Sequence, residues 1–232
     1  VSGGQPTVWQ FWSLSEKLGT PEQAKDAAAF LGDKPGQKVL PASALPGGNR
    51  YTALGQLDVD LEYFIASPAN TPRATLRYGG TWGGGFKVPE YQDLLHLRLQ
   101  GDGSYYVAVF PRQRQDVAPE FSTLADGRII KVAGGFGSDY VFIAEKAAVA
   151  AADGVSFKGC AGSIQVRPSA TLLSLNAPGE IACKEYKLAA QSPASLEISA
   201  DRLKLRMLPG NDGAGATVTL PAGWRLKGDG AK

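Results

Sequence analysis

The chain is poor in the residues that most often carry chemistry. Its 232 residues include one histidine, two cysteines and one methionine. A single histidine excludes a multi-histidine metal centre, and neither cysteine has a second ligand at zinc spacing. No Gly-x-Ser-x-Gly or comparable nucleophile motif accompanies the histidine, so a serine-histidine-acid triad has no support. We therefore expect no resident cofactor, with calcium as the one alternative considered below.

Long apolar runs and a surplus of one charge are also missing. No run approaches the ~18 apolar residues of a membrane-spanning helix, which predicts no membrane span. The 24 basic and 22 acidic residues give a formal charge of +2, so no global field attracts nucleic acid. The sequence opens at Val1 without methionine or a signal-like segment. We expect a processed protein or part of a larger multidomain chain.

Turn-forming residues, in contrast, are abundant. The chain has 29 glycines and 15 prolines, with 44% hydrophobic and 20% charged residues. Short alternating runs separated by such residues are typical of all-β proteins. We predict an all-β antiparallel β-sandwich, or two packed sandwiches, with one short N-terminal helix. Residues 1–232 are expected to form a single module, with a sub-boundary near 145–155 as the alternative.

The clearest local pattern lies in residues 93–144. Two alternating apolar runs, DLLHLRLQ and SYYVAVF, flank Gly101-Asp102-Gly103, and a second pair, GRIIKVAG and SDYVFIA, follows. Asp-Gly between two such runs indicates a hairpin, because both central residues of a tight primed turn need positive φ. We therefore predict two pairs of antiparallel strands here.

One helix is predicted near the start of the chain. The segment Thr20-Pro21-Glu22-Gln23 offers an N-cap, a proline in the first turn and a capping-box partner. The following residues, AKDAAAFLG, are expected to end the helix at Gly32. Residues 145–153, EKAAVAAAD, are compatible either with a helix, because alanine favours one, or with an extended edge strand.

The two cysteines, Cys160 and Cys183, each lie in a strand-like run with 22 residues between them. They form either a disulfide between neighbouring strands or two buried thiols. The disulfide would imply an oxidising compartment.

Three carboxylates alternate with apolar residues in LDVDLEY. Asp58, Asp60 and Glu62 therefore share one face of a strand. Such a group is able to hold calcium or to supply an acid/base pair. The alternative is an exposed strand face that pairs with arginine or lysine on its neighbour. A basic cluster, Arg112-Gln113-Arg114, is expected to be a solvated loop.

The glycine-rich segment RYGGTWGGGFK, residues 77–87, is the best candidate for a ligand surface. Its glycines leave Trp82 with little local packing, so Trp82 either enters the core or stands exposed as a stacking platform for sugar rings. Arginines such as Arg77 are able to pair with carboxylate or sulfate groups. His96 and Arg98 share one face of the strand that follows.

The order of elements in residues 73–167 resembles the C-terminal β-sandwich region of heparinase II/III-like polysaccharide lyases and related secreted bacterial proteins. The resemblance is carried by LRYGG, DLLHLRLQGDGSYYVAVFPR, FSTLADGRIIKV, GSDYVFIA and VSFKGCAGSIQVRP. It implies a secreted, periplasmic or cell-surface location. It also implies β-elimination at a uronate, with catalytic groups that come largely from an α/α-toroid domain.

This sequence predicts no helical array of that kind, and none of its residues matches a catalytic motif. The resemblance therefore implies a non-catalytic, carbohydrate-binding accessory domain of a polysaccharide-degrading protein. It would bind acidic or neutral polysaccharide through an aromatic and arginine surface formed by Trp82, Tyr78, Arg77, Arg98 and His96.

Two alternatives remain open. The first is a structural or interaction domain that has no ligand of its own. The second is a polysaccharide lyase that uses His96 together with Tyr105 or Tyr106.

Replacement of Trp82 tests the stacking platform. We expect Trp82→Ala to abolish polysaccharide binding in affinity gel electrophoresis and to leave the melting temperature nearly unchanged, because an exposed ring contributes little to packing. A large loss of stability would instead assign Trp82 to the core.

Overall fold

The computed structural model describes residues 7–27, 29, 40–44, 48–55, 57–67, 73–80, 90–99, 105–207 and 215–224. Within these ranges the chain forms 17 strands and one short helix, and all strand pairs are antiparallel. The predicted all-β class with one short helix near the N-terminus is confirmed. The chain divides into two compact units, Val1–Ala118 and Pro119–Lys232.

The first unit holds seven of the described strands and the helix. They are β1 (Thr7–Gly19), α1 (Pro21–Ala24), β2 (Leu40–Ala44), β3 (Arg50–Gly55), β4 (Val59–Ser67), β5 (Arg73–Gly80), β6 (Glu90–Leu99) and β7 (Tyr106–Gln113). The strands follow one another in the order β2-β5-β6-β1-β3-β4-β7.

Strand β1 changes partner along its length. Residues 7–14 pair with β6, whereas residues 15–19 pair with β3, with a register shift between Ser15 and Lys17. A strand that changes partner in this way joins two parts of a sheet that bend toward each other.

Side chains from the two parts meet in the middle of the first unit. The Phe11 ring of β1 meets the Tyr63 ring of β4 edge to face, with centroids 5.7 Å apart. Arg73 of β5 hydrogen-bonds the Tyr51 side chain of β3, which is fully buried. The first unit is therefore a β-sandwich whose layers share β1.

The predicted hairpin between DLLHLRLQ and SYYVAVF is not formed. The first run is β6, which lies between β5 and β1 and pairs with β1 over eight residue pairs. The second run is β7, which pairs with β4 at the edge of the sheet. Gly101-Asp102-Gly103 lies outside the described residues. The turn signal is local, whereas packing between strands that are distant in sequence decides which strand lies beside β6.

The capping box predicted for the helix is confirmed. Thr20 is the N-cap, its Oγ1 accepts from the Gln23 amide, and the Gln23 Oε1 accepts from the Thr20 amide at 2.9 Å. The expected helix end at Gly32 lies outside the described residues.

The second unit holds ten of the described strands. They are β8 (Glu120–Leu124), β9 (Ile129–Gly134), β10 (Gly137–Ala152), β11 (Val155–Val166), β12 (Ala170–Leu175), β13 (Gly179–Cys183), β14 (Tyr186–Ala190), β15 (Ala194–Ser199), β16 (Leu203–Met207) and β17 (Ala216–Thr219). The predicted pairing of GRIIKVAG with SDYVFIA is confirmed as the β9–β10 hairpin.

Strands β10 and β11 bend together and run through two layers. Their register skips between Ile143 and Ala148, so residues 144–147 lie opposite Cys160 alone. One layer contains β8, β9, the first half of β10, the second half of β11, β12, β15 and β16. The other contains the second half of β10, the first half of β11, β13, β14 and β17.

The two layers of the second unit enclose one apolar core. The Phe142 ring of the first layer stacks on the Phe157 ring of the second, with centroids 5.3 Å apart, and both side chains are buried. Such burial stabilises the fold by about 25 cal/mol for each Å² of apolar surface removed from water. Other buried members of this core are Ile129, Ile164, Leu173, Ile181, Leu188, Leu196 and Ile198.

Residues 145–152 form strand rather than helix, and Asp153 lies in the turn that follows. They form most of the second half of β10, which pairs with β11 alone among the described strands. The extended-edge alternative is therefore the one adopted. Residues 145–155 lie inside the second unit as the β10–β11 hairpin, and the division between the two units falls after Ala118.

Both cysteines are free thiols, and the disulfide alternative is not adopted. Cys183 lies opposite Val155 on the β11–β13 ladder, and Cys160 is five residues further along β11. At ~3.3 Å per residue the two positions are about 16 Å apart along the strand, beyond the reach of a disulfide. Burial raises the pKa of the Cys183 thiol.

An ion pair fastens the folded hairpin of the second unit. Asp153, in the turn after β10, has a φ of +53°. Its Oδ2 accepts hydrogen bonds from Lys131 Nζ at 2.5 Å and from Tyr140 Oη at 2.7 Å. These hydrogen bonds, the one from Lys131 first, lower the pKa of Asp153. Because Lys131 and Tyr140 belong to β9 and the first half of β10, the contact ties the hairpin tip to the other layer.

Asp153→Asn tests the ionic part of this contact. We expect it to lower the free energy of unfolding by about 1 kcal/mol at pH 7, since the pair is partly exposed. Asparagine still tolerates the left-handed backbone. The folded-state pKa of Asp153 lies below its unfolded value, so this stabilisation is present at neutral pH and is lost as the pH falls below about 4.

Urea denaturation of the wild type and the variant across pH measures the effect. Asp126→Asn is the matched control, because Asp126 also lies in a turn with a φ of +56° and is exposed. A stability difference for Asp153→Asn that is the same at pH 3 and pH 7 would contradict an ionic contribution.

Candidate functional site

The predicted contact residues lie mostly on two neighbouring strands. Arg77 and Tyr78 are in β5, and His96 and Arg98 are in β6. Trp82 lies outside the described residues. For the other four residues the structure describes the backbone and its register.

The register sorts these four positions onto two faces. Paired residues of antiparallel strands share a face, and successive residues alternate between faces. Tyr78 pairs with Gln92, so its position shares a face with those of His96 and Arg98. Arg77 pairs with Asp93 and occupies the opposite face. The structure thus brings three of the four positions together and separates Arg77 from them.

Trp12 of β1 belongs to the same face as Tyr78, His96 and Arg98. It pairs with Leu94, and 48% of its surface is exposed. Gln10, which pairs directly with His96, is exposed as well. We call this surface the tryptophan face and define it by Gln10, Trp12 and the positions of Tyr78, His96 and Arg98.

The opposite face of β1 points to the core of the first unit. Trp9 and Phe11 lie there with their rings stacked 5.8 Å apart, and both pack against the buried cluster around Tyr51 and Tyr63. Burial of this face explains why Trp12, on the other face, remains accessible.

Trp12 is the residue that the sequence analysis missed. The run VWQFW contained the signal, because two tryptophans three residues apart in a strand lie on opposite faces. One of them therefore points away from the core. An exposed tryptophan offers a broad apolar ring with one hydrogen-bond donor, which suits contact with a partly apolar ligand.

A cleft of about 440 Å³ lies in the first unit between α1 and the outer side of β3, β4 and β7. Its charged lining residues are Glu22, Lys25, Asp60, Glu62, Arg112, Arg114 and Asp116. The chemistry of this cleft depends on the hydrogen bonds of the buried carboxylates at its base.

Glu62 lies at the base of the cleft and is 1% exposed. Its Oε1 accepts from Arg112 Nε at 2.8 Å, and its Oε2 accepts from Thr52 Oγ1 at 2.8 Å. Arg112 also donates from Nη1 to the carbonyl oxygen of Arg114 at 2.9 Å. Both carboxylate oxygens of Glu62 are therefore satisfied within the protein.

Asp60, beside Glu62, is fully buried. Its Oδ1 accepts from Arg114 Nη2 at 3.1 Å and from the Gly55 amide at 3.1 Å. Its Oδ2 lies 3.6 Å from Arg112 Nη2 and has no hydrogen bond among the described residues. Asp58, at the rim, accepts from Arg114 Nη1 at 2.7 Å.

The ion-pair alternative for Asp58, Asp60 and Glu62 is confirmed, but the expected exposure is wrong for Asp60 and Glu62. Alternation along β4 predicted the shared face of Asp60 and Glu62, but it could not reveal that both are buried at the base of the cleft. Asp58 does not share that strand, because it lies in the turn before β4 with a φ of +56°. The prediction of a solvated loop for Arg112-Gln113-Arg114 is also wrong, because only 13% and 25% of the two arginine side chains are exposed. Within the described ranges no three His, Cys, Asp or Glu residues converge as a metal site.

Arg112→Met tests how far the buried carboxylates depend on their partner. We expect a loss of about 3–5 kcal/mol in the free energy of unfolding, because Glu62 and Asp60 are then left under-compensated in a buried site. The double variant Arg112→Met/Glu62→Gln is expected to recover part of this loss, since it removes one of the two stranded charges.

Urea denaturation measures both effects. Lys25→Met, at an exposed position of the same cleft, is the control and is expected to change stability by less than about 0.5 kcal/mol. Strictly additive losses for Arg112→Met and Glu62→Gln would show that the two side chains are not coupled.

Comparisons with protein-family models, with curated proteins and with solved structures gave no match to this chain. The similarity to heparinase-like proteins therefore stays a prediction. In the described part of the chain no helix is long and apolar enough to cross a membrane.

Proposed function

We propose that this chain is a non-catalytic accessory module that binds polysaccharide for a polysaccharide-degrading protein. The observation that carries the proposal is the exposed Trp12 on the tryptophan face, next to the positions of His96 and Arg98. A secreted or cell-surface location accords with this function.

Stacking is the physical basis of the proposed contact. The indole of Trp12 presents a broad apolar face to solvent, and the apolar side of a sugar ring is able to lie against it. Gln10 is able to donate and accept hydrogen bonds beside the ring. A histidine, a tyrosine and an arginine occupy neighbouring register positions on the same face.

The spacing of the tryptophan face suits an oligosaccharide rather than a single sugar. Trp12 and Tyr78 belong to strands on either side of β6, so their positions are about 10 Å apart across the sheet. Arg98 lies four residues along β6 from Leu94, the partner of Trp12, which adds about 14 Å along the strand. Contacts spread over such distances favour a polymer.

The carboxylates of the cleft, Asp60 and Glu62, are not placed to act as a general base. Glu62 and Oδ1 of Asp60 accept their hydrogen bonds from side chains and amides of the protein itself. A general base needs a lone pair within hydrogen-bond reach of the substrate proton. Carboxylates held in this way serve to position strands.

A structural or interaction domain is the second candidate. The same exposed Trp12 favours it, because aromatic residues are enriched in protein interfaces. The two candidates differ in whether the isolated chain binds polysaccharide.

Affinity gel electrophoresis of the purified chain in dextran, alginate and dextran sulfate separates these candidates. We expect retardation of the wild type, and about tenfold weaker binding for Trp12→Ala, which corresponds to the loss of a stacking contact of about 1.4 kcal/mol. Trp12→Phe is expected to retain most of the affinity, because phenylalanine keeps a ring.

Leu57→Ala, at a position that is 87% exposed in another part of the first unit, is the matched surface control. Migration of the wild type unaffected by all three polymers would favour the interaction domain. Retardation that Trp12→Ala leaves unchanged would remove the tryptophan face from the proposal.

A further inference from the structure

The second unit has a groove of about 300 Å³ on the outer face of its first layer, across β11, β12, β15 and β16. This face points away from the core that contains Phe142 and Phe157. The groove differs from the tryptophan face in its unit, its strands and the chemistry of its side chains.

A row of hydroxyl groups crosses this face. Ser163 pairs with Ser174, Ser174 pairs with Ser195, and Ser195 pairs with Arg206 on the outermost strand. With ~4.8 Å between strands, the three serines span about 10 Å, and the row as far as Arg206 spans about 14 Å. All three serines are half-buried, and no hydrogen bond of their hydroxyl groups is found within the described ranges.

A second, parallel row brings one amide and two charges. Gln165 pairs with Leu172, Leu172 with Glu197, and Glu197 with Lys204. Leu172 gives the floor a small apolar strip between polar neighbours. The groove therefore combines donors, acceptors and one apolar contact, as a ring that carries hydroxyl groups requires.

The cations of the groove lie at its two ends. Arg167, next to β11, is held by Asp139 at 2.6 Å and by the Phe136 ring at 5.0 Å. Lys204 and Arg206 lie together on β16. Arg206 Nη2 approaches Glu197 Oε2 only to 4.0 Å, and Lys204 has no ion pair among the described residues. The β16 end thus has two cations, Lys204 and Arg206, against the single carboxylate of Glu197.

We propose that this groove binds a glycan that carries carboxylate or sulfate groups. Lys204 and Arg206 hold the anionic group, the guanidinium by paired hydrogen bonds, and Ser174 and Ser195 hydrogen-bond the ring hydroxyls. The site deepens the proposed function and rests on it for the class of polymer, because it names the acidic group that the polymer must carry.

The floor of the groove favours a glycan over a nucleic acid. Binding of single-stranded nucleic acid commonly uses aromatic side chains on which bases stack. The lining here consists of serine, glutamine, leucine, alanine and charged residues. Hydroxyl groups that both donate and accept match the hydroxyl groups of a sugar.

Binding of the full chain to a matched pair of polymers tests the groove. Dextran and dextran sulfate share a backbone and differ in charge, and alginate supplies carboxylates in place of sulfates. Lys204→Gln/Arg206→Gln is expected to weaken binding to dextran sulfate or alginate at least tenfold, to flatten its dependence on salt and to leave binding to dextran unchanged. Loss on dextran sulfate alone or on alginate alone identifies sulfate or carboxylate as the group held.

The control variant is Lys146→Gln/Lys184→Gln, which removes the same charge from exposed positions of the second unit outside the groove. Equal affinity of the groove variant and this control for the acidic polymers would overturn the groove. A single-stranded DNA probe serves as the competing ligand. The glycan assignment would be overturned if the wild type bound this probe as tightly as it binds dextran sulfate and the groove variant did not bind it.

Trp12→Ala keeps the two proposals distinguishable. It is expected to weaken binding to dextran and to the acidic polymers alike, whereas the groove variant affects the acidic polymers only. Binding that is sensitive to the groove variant and insensitive to Trp12→Ala would retain the groove and reject the tryptophan face. The reverse pattern would retain the tryptophan face and reject the groove.

Discussion

The bend shared by β10 and β11 is the constraint on which the second unit depends. Four residues of β10 oppose the single residue Cys160, so the two strands turn together and continue in a second layer. Only this turn lets the Phe142 ring reach the Phe157 ring, and the remaining apolar side chains close around that stack. The same bend brings Asp153 within hydrogen-bond distance of Tyr140 and Lys131. The outer face of the first layer therefore takes no part in the core, and it carries hydroxyl groups and cations.

In the first unit a single strand, β1, bends the sheet so that its two layers enclose a core. Because β1 pairs first with β6 and then with β3, its sheet bends and brings Phe11 against Tyr63. Because side chains alternate between the two faces of a strand, the two tryptophans of β1 lie on opposite faces. Trp9 joins the core and Trp12 is left outside. The proposed binding surfaces of both units are thus the outer faces that remain when one side of a bent sheet has been buried.

Buried ion pairs also help to fix how β4 and β7 pair in the first unit. Asp60 and Glu62 are acceptable when buried because arginines of and after β7 neutralise them. The network joins β4 to β7 at an edge of the sheet, where main-chain pairing exists on one side only among the described strands. Apolar residues of similar size would tolerate several registers, whereas Glu62 accepts from Arg112 and Asp60 accepts from Arg114.

The sequence by itself determined what depends on neighbours along the chain. These features include the capping box at Thr20, the β9–β10 hairpin, the alternation of Asp60 and Glu62, and the all-β class. Local dihedral preferences and period-two alternation suffice for all of them. Tertiary structure alone decided that β1 rather than β7 lies beside β6, that Asp60 and Glu62 are buried, and that Cys160 and Cys183 stay apart. The physical reason is that these outcomes depend on which distant strands pack together, and a local pattern contains no information about a partner many residues away.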